Sequence, residues 1–161
     1  MRYHGRRSPN GRRPERAYSV GRMDRSPLGP VLFFDGVCNL CNGSVNFVID
    51  RDPKGIIAFA ALQSEAATRL LGEHGVTVGP SDSYASMVLL ENGVVYTHST
   101  ALLRAAKHLT FPWSLASVFL IVPRFVRDAV YSFVAKRRYA WFGKSEVCRV
   151  PTPELKARFL G

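Results

Sequence analysis

The sequence has no long hydrophobic run. Its longest apolar stretch, Leu115 to Val122, is interrupted at Ser117 and falls far short of the ~20 residues that a membrane-crossing helix needs. An integral membrane protein is therefore not expected. Cysteine is scarce, with three among 161 residues, and an odd number cannot pair completely within one chain. The N-terminus has no apolar h-region of a secretory signal, so a disulfide-stapled secreted scaffold is not expected and a cytoplasmic location is. There is no internal repeat and no nucleotide, flavin or haem motif, and no cofactor is expected.

Acidic residues are also few, 12 against 22 Lys and Arg, which gives a formal charge of +10. The excess lies at the two ends. Residues 1–30 hold Arg2, Arg6, Arg7, Arg12, Arg13, Arg16, Arg22 and Arg25 against Glu15 and Asp24, and the chain from Pro123 onward is about as basic, so residues 31–122 are slightly acidic. Residues 1–30 are rich in Pro and Gly and poor in aliphatic side chains, the composition of a disordered arm. Three readings of the arm stay open: an inert extension ahead of a start at Met23, a tether for nucleic acid or anionic lipid, or a transit peptide. No nucleic-acid motif accompanies the charge, and nucleic acid is not expected as a partner.

The chain as a whole is 47% hydrophobic and 11% aromatic, which suits a folded protein, and residues 31–161 read as a single domain. Val31 to Phe34 reads as a buried strand that stops at Asp35-Gly36. From Cys38, the residues Leu40, Cys41, Val45, Val48 and Ile49 recur at helical spacing until Asp52-Pro53-Lys54-Gly55. Ile56 to Ala60 is a second strand, and Ser64 caps a short helix through Leu71. Tyr84 to Leu90 and Val94 to Thr97 flank Asn92-Gly93, a strong hairpin signal. Ser99 caps a third helix with a stripe of Leu102, Leu103, Ala106 and Leu109. The order β-α-β-α-β-β-α predicts an α/β fold with a mixed central sheet flanked by helices. Further helices follow over 113–122 and from Pro123 to about Tyr139, the latter with Phe125, Val126, Ala129, Val130, Phe133 and Val134 turned inward and Arg124, Arg127, Lys136 and Arg137 or Arg138 in water.

The chemistry centres on Cys38-Asn39-Leu40-Cys41, a Cys-x-x-Cys at a strand-to-helix junction. A thiol at a helix N-terminus faces unpaired N–H groups and the positive end of the helix dipole, which favour the thiolate. Cys38 is then expected to be an exposed nucleophile, and Cys41, one turn on and toward the core, to resolve a mixed disulfide. Two other readings remain: ordinary core cysteines, or half of a zinc sphere completed by Cys148 and His98 or Asp35. Asp35, three residues before Cys38, can accept the proton when Cys41 ionises, or can simply cap the turn.

The run Asp35-Gly36-Val37-Cys38-Asn39-Leu40-Cys41-Asn42-Gly43 resembles the Asp-x-x-Cys-x-x-Cys signature of the DCC family of thiol-disulfide oxidoreductases. So do Ser99-Thr100-Ala101-Leu102, Pro123 with Arg127-Asp128 and Tyr131, and Arg138-Tyr139-Ala140-Trp141-Phe142-Gly143 with Cys148 and Pro151, covering about residues 31–153. The resemblance implies a thioredoxin-like fold and a dithiol/disulfide role, with a disulfide-containing protein or a small thiol as substrate. One departure stands out. Proteins of this fold commonly place a cis-proline just before the first hairpin strand, where this chain has Tyr84-Ala85-Ser86.

Of the remaining polar residues, His98 has the sheet-end position of a candidate acid, base or ligand, and Arg127, Asp128 and Tyr131 share a helix as a structural polar cluster. Trp113, Phe119, Phe125, Trp141 and Phe142 are read as core, or alternatively as a contact for an apolar partner or a membrane surface beside Lys136-Arg137-Arg138.

Overall fold

Val31–Phe34 forms the first strand, β1, and all four of its side chains are buried. A strand buried on both faces needs cover on both sides, and the computed structural model, which describes residues 29–77, 87–144 and 156–160, supplies it. After β1 come α1 (Asn39–Arg51), β2 (Ala58–Ala61), α2 (Glu65–Gly72), β3 (Met87–Glu91), β4 (Val94–Thr97), α3 (His98–Ala106), a 3₁₀ helix (Trp113–Ile121) and α4 (Arg124–Phe142).

The four strands lie in the order β2-β1-β3-β4, with β1 parallel to β2 and β3 antiparallel to both β1 and β4. This is the thioredoxin-like arrangement. Successive side chains of β1 point to opposite faces. Leu32 and Phe34 join α1 and α3 through Cys41, Val45, Ala101 and Ala105, whereas Val31 and Phe33 meet Ala67 and Leu71 of α2. The hairpin turns as its sequence requires, with Asn92 at φ 52° and Gly93 at φ 76°. Since β3 runs back from the C-terminal end of β1, its first residue, Met87, pairs with Phe34. β4 returns to that end, so Thr97 and His98 lie at the same sheet edge as the start of α1.

The helix of 113–122 is of the tighter 3₁₀ kind, and α4 is oriented differently from its sequence reading. Phe125, Val126, Val130 and Phe133 are exposed, while the one buried residue of α4 is Arg138. The expected polar cluster does form: Ser99 donates to Asp128, Arg127 donates to Ser99 (3.1 Å), and the Met87 N–H donates to the Tyr131 hydroxyl (3.1 Å). It docks α4 against the start of α3 and the first residue of β3. The expected arm lies outside the described residues except for Gly29 and Pro30, and Pro30 already accepts the Ala58 N–H at 2.9 Å. No helix among the described residues is long and apolar enough to cross a membrane.

The free edge of β2 is covered by residues 158–160. Phe59 donates to the Arg158 carbonyl and Leu160 donates back to Phe59 (2.7 and 2.8 Å). Arg158 also reaches Asp52, a fully buried carboxylate (Nη2 to Oδ2, 2.6 Å) that accepts the N–H groups of Ile56 and Ile57 (3.1 and 2.9 Å). Removing one partner of a buried ion pair costs about 3–5 kcal/mol. Asp52→Ala is therefore expected to lower unfolding stability by that amount in a urea titration, whereas an exposed change such as Lys54→Ala stays within about 0.5 kcal/mol.

Candidate active site

The C-terminal end of β1 delivers the chain into a tight turn. Val37 N–H donates to the Asp35 carboxylate (3.2 Å), Cys38 N–H to the Asp35 carbonyl (3.2 Å), and the Asn42 side-chain amide to the Gly36 carbonyl (3.0 Å). Cys38 is the N-cap of α1, in extended conformation (φ −90°, ψ 119°), and its Sγ accepts the Cys41 N–H at 3.4 Å. A sulfur thus takes the place usually held by a Ser or Asp oxygen.

Cys38 and Cys41 lie 3.2 Å apart. The Cys41 side chain is hydrogen-bonded to Cys38, and the Cys41 N–H donates to Cys38 Sγ. Burial pushes the Cys41 thiol far above its ordinary value of 9.0; the bond to Cys38 and the nearby Asp35 charge push the same way, and the positive charge of Arg138 opposes them. Cys41 is protonated at neutral pH. It also lines an apolar cavity of about 280 Å³ between α1, α3 and α4, with Leu40, Leu102, Val130 and Val134 in its wall.

The expected exposure of Cys38 is not found. Both cysteines are buried, Cys38 at 0% exposure. The cover comes from more than a hundred residues away in sequence: Gly143, at φ 74°, ends α4 and turns the chain so that Lys144 pairs with Cys38 as an isolated antiparallel bridge. Asn39 holds this crossing through its side-chain amide to the Phe142 carbonyl (2.8 Å) and its N–H to the Gly143 carbonyl (3.5 Å).

Asp35 is buried beneath the same crossing. One carboxylate oxygen accepts Val37 N–H and the Gln63 amide (2.9 Å); the other accepts Arg138 Nη2 (3.2 Å) and, in a short hydrogen bond, the Tyr139 hydroxyl. Burial raises the Asp35 carboxyl, but these four donors outweigh it and hold the group below its ordinary value of 3.8. The Tyr139 phenol is pushed up by burial and by its bond to Asp35. Asp35 is thus an ionised hub whose described partners are Val37, Gln63, Arg138 and Tyr139.

A family model, DCC1-like thiol-disulfide oxidoreductase, matches residues 32–144. The chain belongs to this family. It is 54% identical over 130 residues to the uncharacterized protein YuxK of Bacillus subtilis, covering 81% of this chain and 93% of that one. It is 46% identical over 122 residues to a chloroplastic DCC family protein of Arabidopsis thaliana, covering 75% of this chain and 69% of that one. No solved structure matches it.

In this family member the structure brings together the three expected site residues, Asp35, Cys38 and Cys41. His98 is engaged elsewhere, with Thr97 Oγ1 (3.1 Å) and edge-on to Tyr131. Cys148 and the stretch Tyr84-Ala85-Ser86 lie outside the described residues. Among the described residues no group of three or more His, Cys, Asp or Glu side chains is arranged to hold a metal ion. Sequence reasoning missed Gln63 as a partner of Asp35 and left Arg138 as a candidate for solvent; the signal for Arg138 was its place in the Arg138-Tyr139 pair of the family pattern.

Arg138→Ala removes the cation from a buried carboxylate and is expected to cost about 3–5 kcal/mol at pH 7. The depressed Asp35 value means that this stabilisation is complete above pH 3.8 and is lost as pH falls through the lower folded-state value. Urea titrations along a pH series should therefore show the wild type and Arg138→Ala converging in acid. A gap that stays unchanged along the whole acid limb would contradict the pairing.

Proposed function

We propose that this DCC1-like protein is a working thiol-disulfide oxidoreductase in which Cys38 attacks and Cys41 resolves. The observation that carries the assignment is the Cys41 N–H aimed at Cys38 Sγ at the N-cap of α1, with the two cysteines 3.2 Å apart. The Cys41 N–H aimed at Cys38 Sγ suits that sulfur to the attacking role, and the raised Cys41 thiol suits the resolving one. The thiolate is the nucleophile. The N-terminal position on α1 adds the helix dipole to the same sulfur.

The exchange runs in two displacements. Cys38 thiolate attacks one sulfur of a substrate disulfide, the substrate S–S bond breaks, and the departing thiolate takes up a proton. Cys41 then loses its proton and attacks Cys38 Sγ, so that the second substrate thiol leaves and an internal Cys38–Cys41 disulfide remains. Two electrons have passed from the dithiol to the substrate, and the reverse sequence oxidises a substrate dithiol.

The rise that burial imposes on Cys41 makes its deprotonation the demanding part of the second step. Arg138 is the positive charge that eases it, and Asp35 acts chiefly by holding Arg138 in place. A second requirement is access. Cys38 has no solvent exposure, so the substrate reaches it when the Gly143–Lys144 crossing gives way, against the two bonds from Asn39.

The substrate on this reading is a disulfide-containing protein or a small disulfide. The odd cysteine count and the dithiol chemistry suit a reducing compartment, the cytoplasm. The test is a pair of variants assayed for reduction of an insulin-type disulfide. Cys38→Ser is expected to abolish turnover and Cys41→Ser to accumulate a mixed disulfide with the substrate. Turnover at the wild-type rate in both variants would refute the assignment.

A further inference from the structure

The surface of the 3₁₀ helix and α4 asks for a partner that the dithiol chemistry does not supply. Residues 113–121 contain no charged side chain, and none of the nine is buried. Trp113 and Ala116 attach the segment to the body, Trp113 by an edge-on contact with Phe47 (4.8 Å). Leu115, Val118, Phe119 and Ile121 face outward: Phe119 is 63% exposed, Ile121 84% and, just beyond Pro123, Phe125 76%. Along α4 the exposed face continues through Val126, Val130 and Phe133, at helical spacings of four and three. Solvent-exposed apolar patches of this kind mark interaction sites.

The charge beside this patch has one sign. From Lys107 to Lys144 the chain carries Lys107, Arg124, Arg127, Lys136, Arg137, Arg138 and Lys144 against a single acid, Asp128. Asp128 is occupied by Ser99 and Arg124, and Arg138 is neutralised by Asp35. The Arg137 guanidinium lies over the Phe133 ring at 4.0 Å, so a cation is seated on the apolar face itself.

We propose that this face seats the protein on an anionic lipid bilayer, with Phe119, Ile121 and Phe125 entering the headgroup boundary and Lys136 and Arg137 meeting lipid phosphates. Two observations favour lipid over a second copy of the chain. Two such faces brought together would oppose cation to cation, whereas anionic headgroups complement them. A segment that carries no charge and has no buried residue on its own body suits a fluid apolar medium better than a shaped groove. The arginines of residues 1–30 add long-range attraction to the same surface. Val130 belongs both to this face and to the wall of the cavity beside Cys41, so docking sets the bilayer on the flank of the molecule that carries the dithiol. The proposal stands independently of the oxidoreductase assignment.

The test uses the full chain with vesicles of phosphatidylcholine, with and without phosphatidylglycerol. Its two tryptophans, Trp113 and Trp141, report directly, because both are surface residues of the proposed face. Co-sedimentation with the phosphatidylglycerol vesicles and a blue shift of tryptophan emission are expected, with little binding to phosphatidylcholine alone. Phe119→Glu/Ile121→Glu, and separately Phe125→Glu, are expected to weaken binding by about tenfold or more, with circular dichroism and reduction of a small soluble disulfide unchanged. Three results would overturn the proposal. The first is no binding by the wild type. The second is salt-sensitive binding indifferent to Phe119, Ile121 and Phe125, which assigns the contact to the arginines of the N-terminal segment. The third is a concentration-dependent dimer that Ile121→Glu converts to monomer, which assigns the face to a second copy.

Discussion

A single buried ion pair, Asp35 with Arg138, ties the two ends of this fold together. Asp35 stands where β1 stops, one turn ahead of the cysteines, and Arg138 stands near the end of α4. Leaving either charge alone in the interior is costly, so α4 must present Arg138 inward at this point. With Tyr139 bound to the same carboxylate, the end of α4 is fixed above the turn and Gly143–Lys144 lies across Cys38. The contact that stabilises the fold therefore also decides who can reach the dithiol, and it sets a positive charge near Cys41.

The same constraint explains the outer surface. A helix of this composition ordinarily turns its apolar stripe to the core. Here the inward positions near the site are taken by Arg138 and by the polar tie of Arg127, Asp128 and Tyr131 to Ser99 and Met87. Phe125, Val126, Val130 and Phe133 are left outside, and the uncharged 3₁₀ helix continues that surface. An oxidoreductase that seats this face on lipid would act on substrates held at or near the bilayer.

Much of the architecture was legible in the sequence because it is written locally. Asn92-Gly93 demands the hairpin, Ser64 caps α2 through its hydroxyl, and the spacing from Leu40 to Ile49 gives α1. The Cys-x-x-Cys at a strand-to-helix junction gave the candidate site for the same reason. What could not be read were the contacts between distant segments. Arg138 looks like a solvent-facing cation beside Lys136 and Arg137 until its partner, 103 residues earlier, is known. The cover on Cys38 likewise comes from Lys144, and Gln63 meets Asp35 across 28 residues. Periodicity reports which side of a helix is apolar; the side that faces the protein was decided by charge pairing.

The central claim is that Cys38 and Cys41 form one redox-active pair, and it is tested most directly by titrating the protein in glutathione buffers with differential alkylation and mass spectrometry of each cysteine. The account predicts that Cys38 and Cys41 lose and regain their thiols together, as one internal disulfide, at a potential within the range of cellular thiol pools. Two thiols that stay reduced and independent across the whole titration would contradict it and leave them as core residues beneath the end of α4.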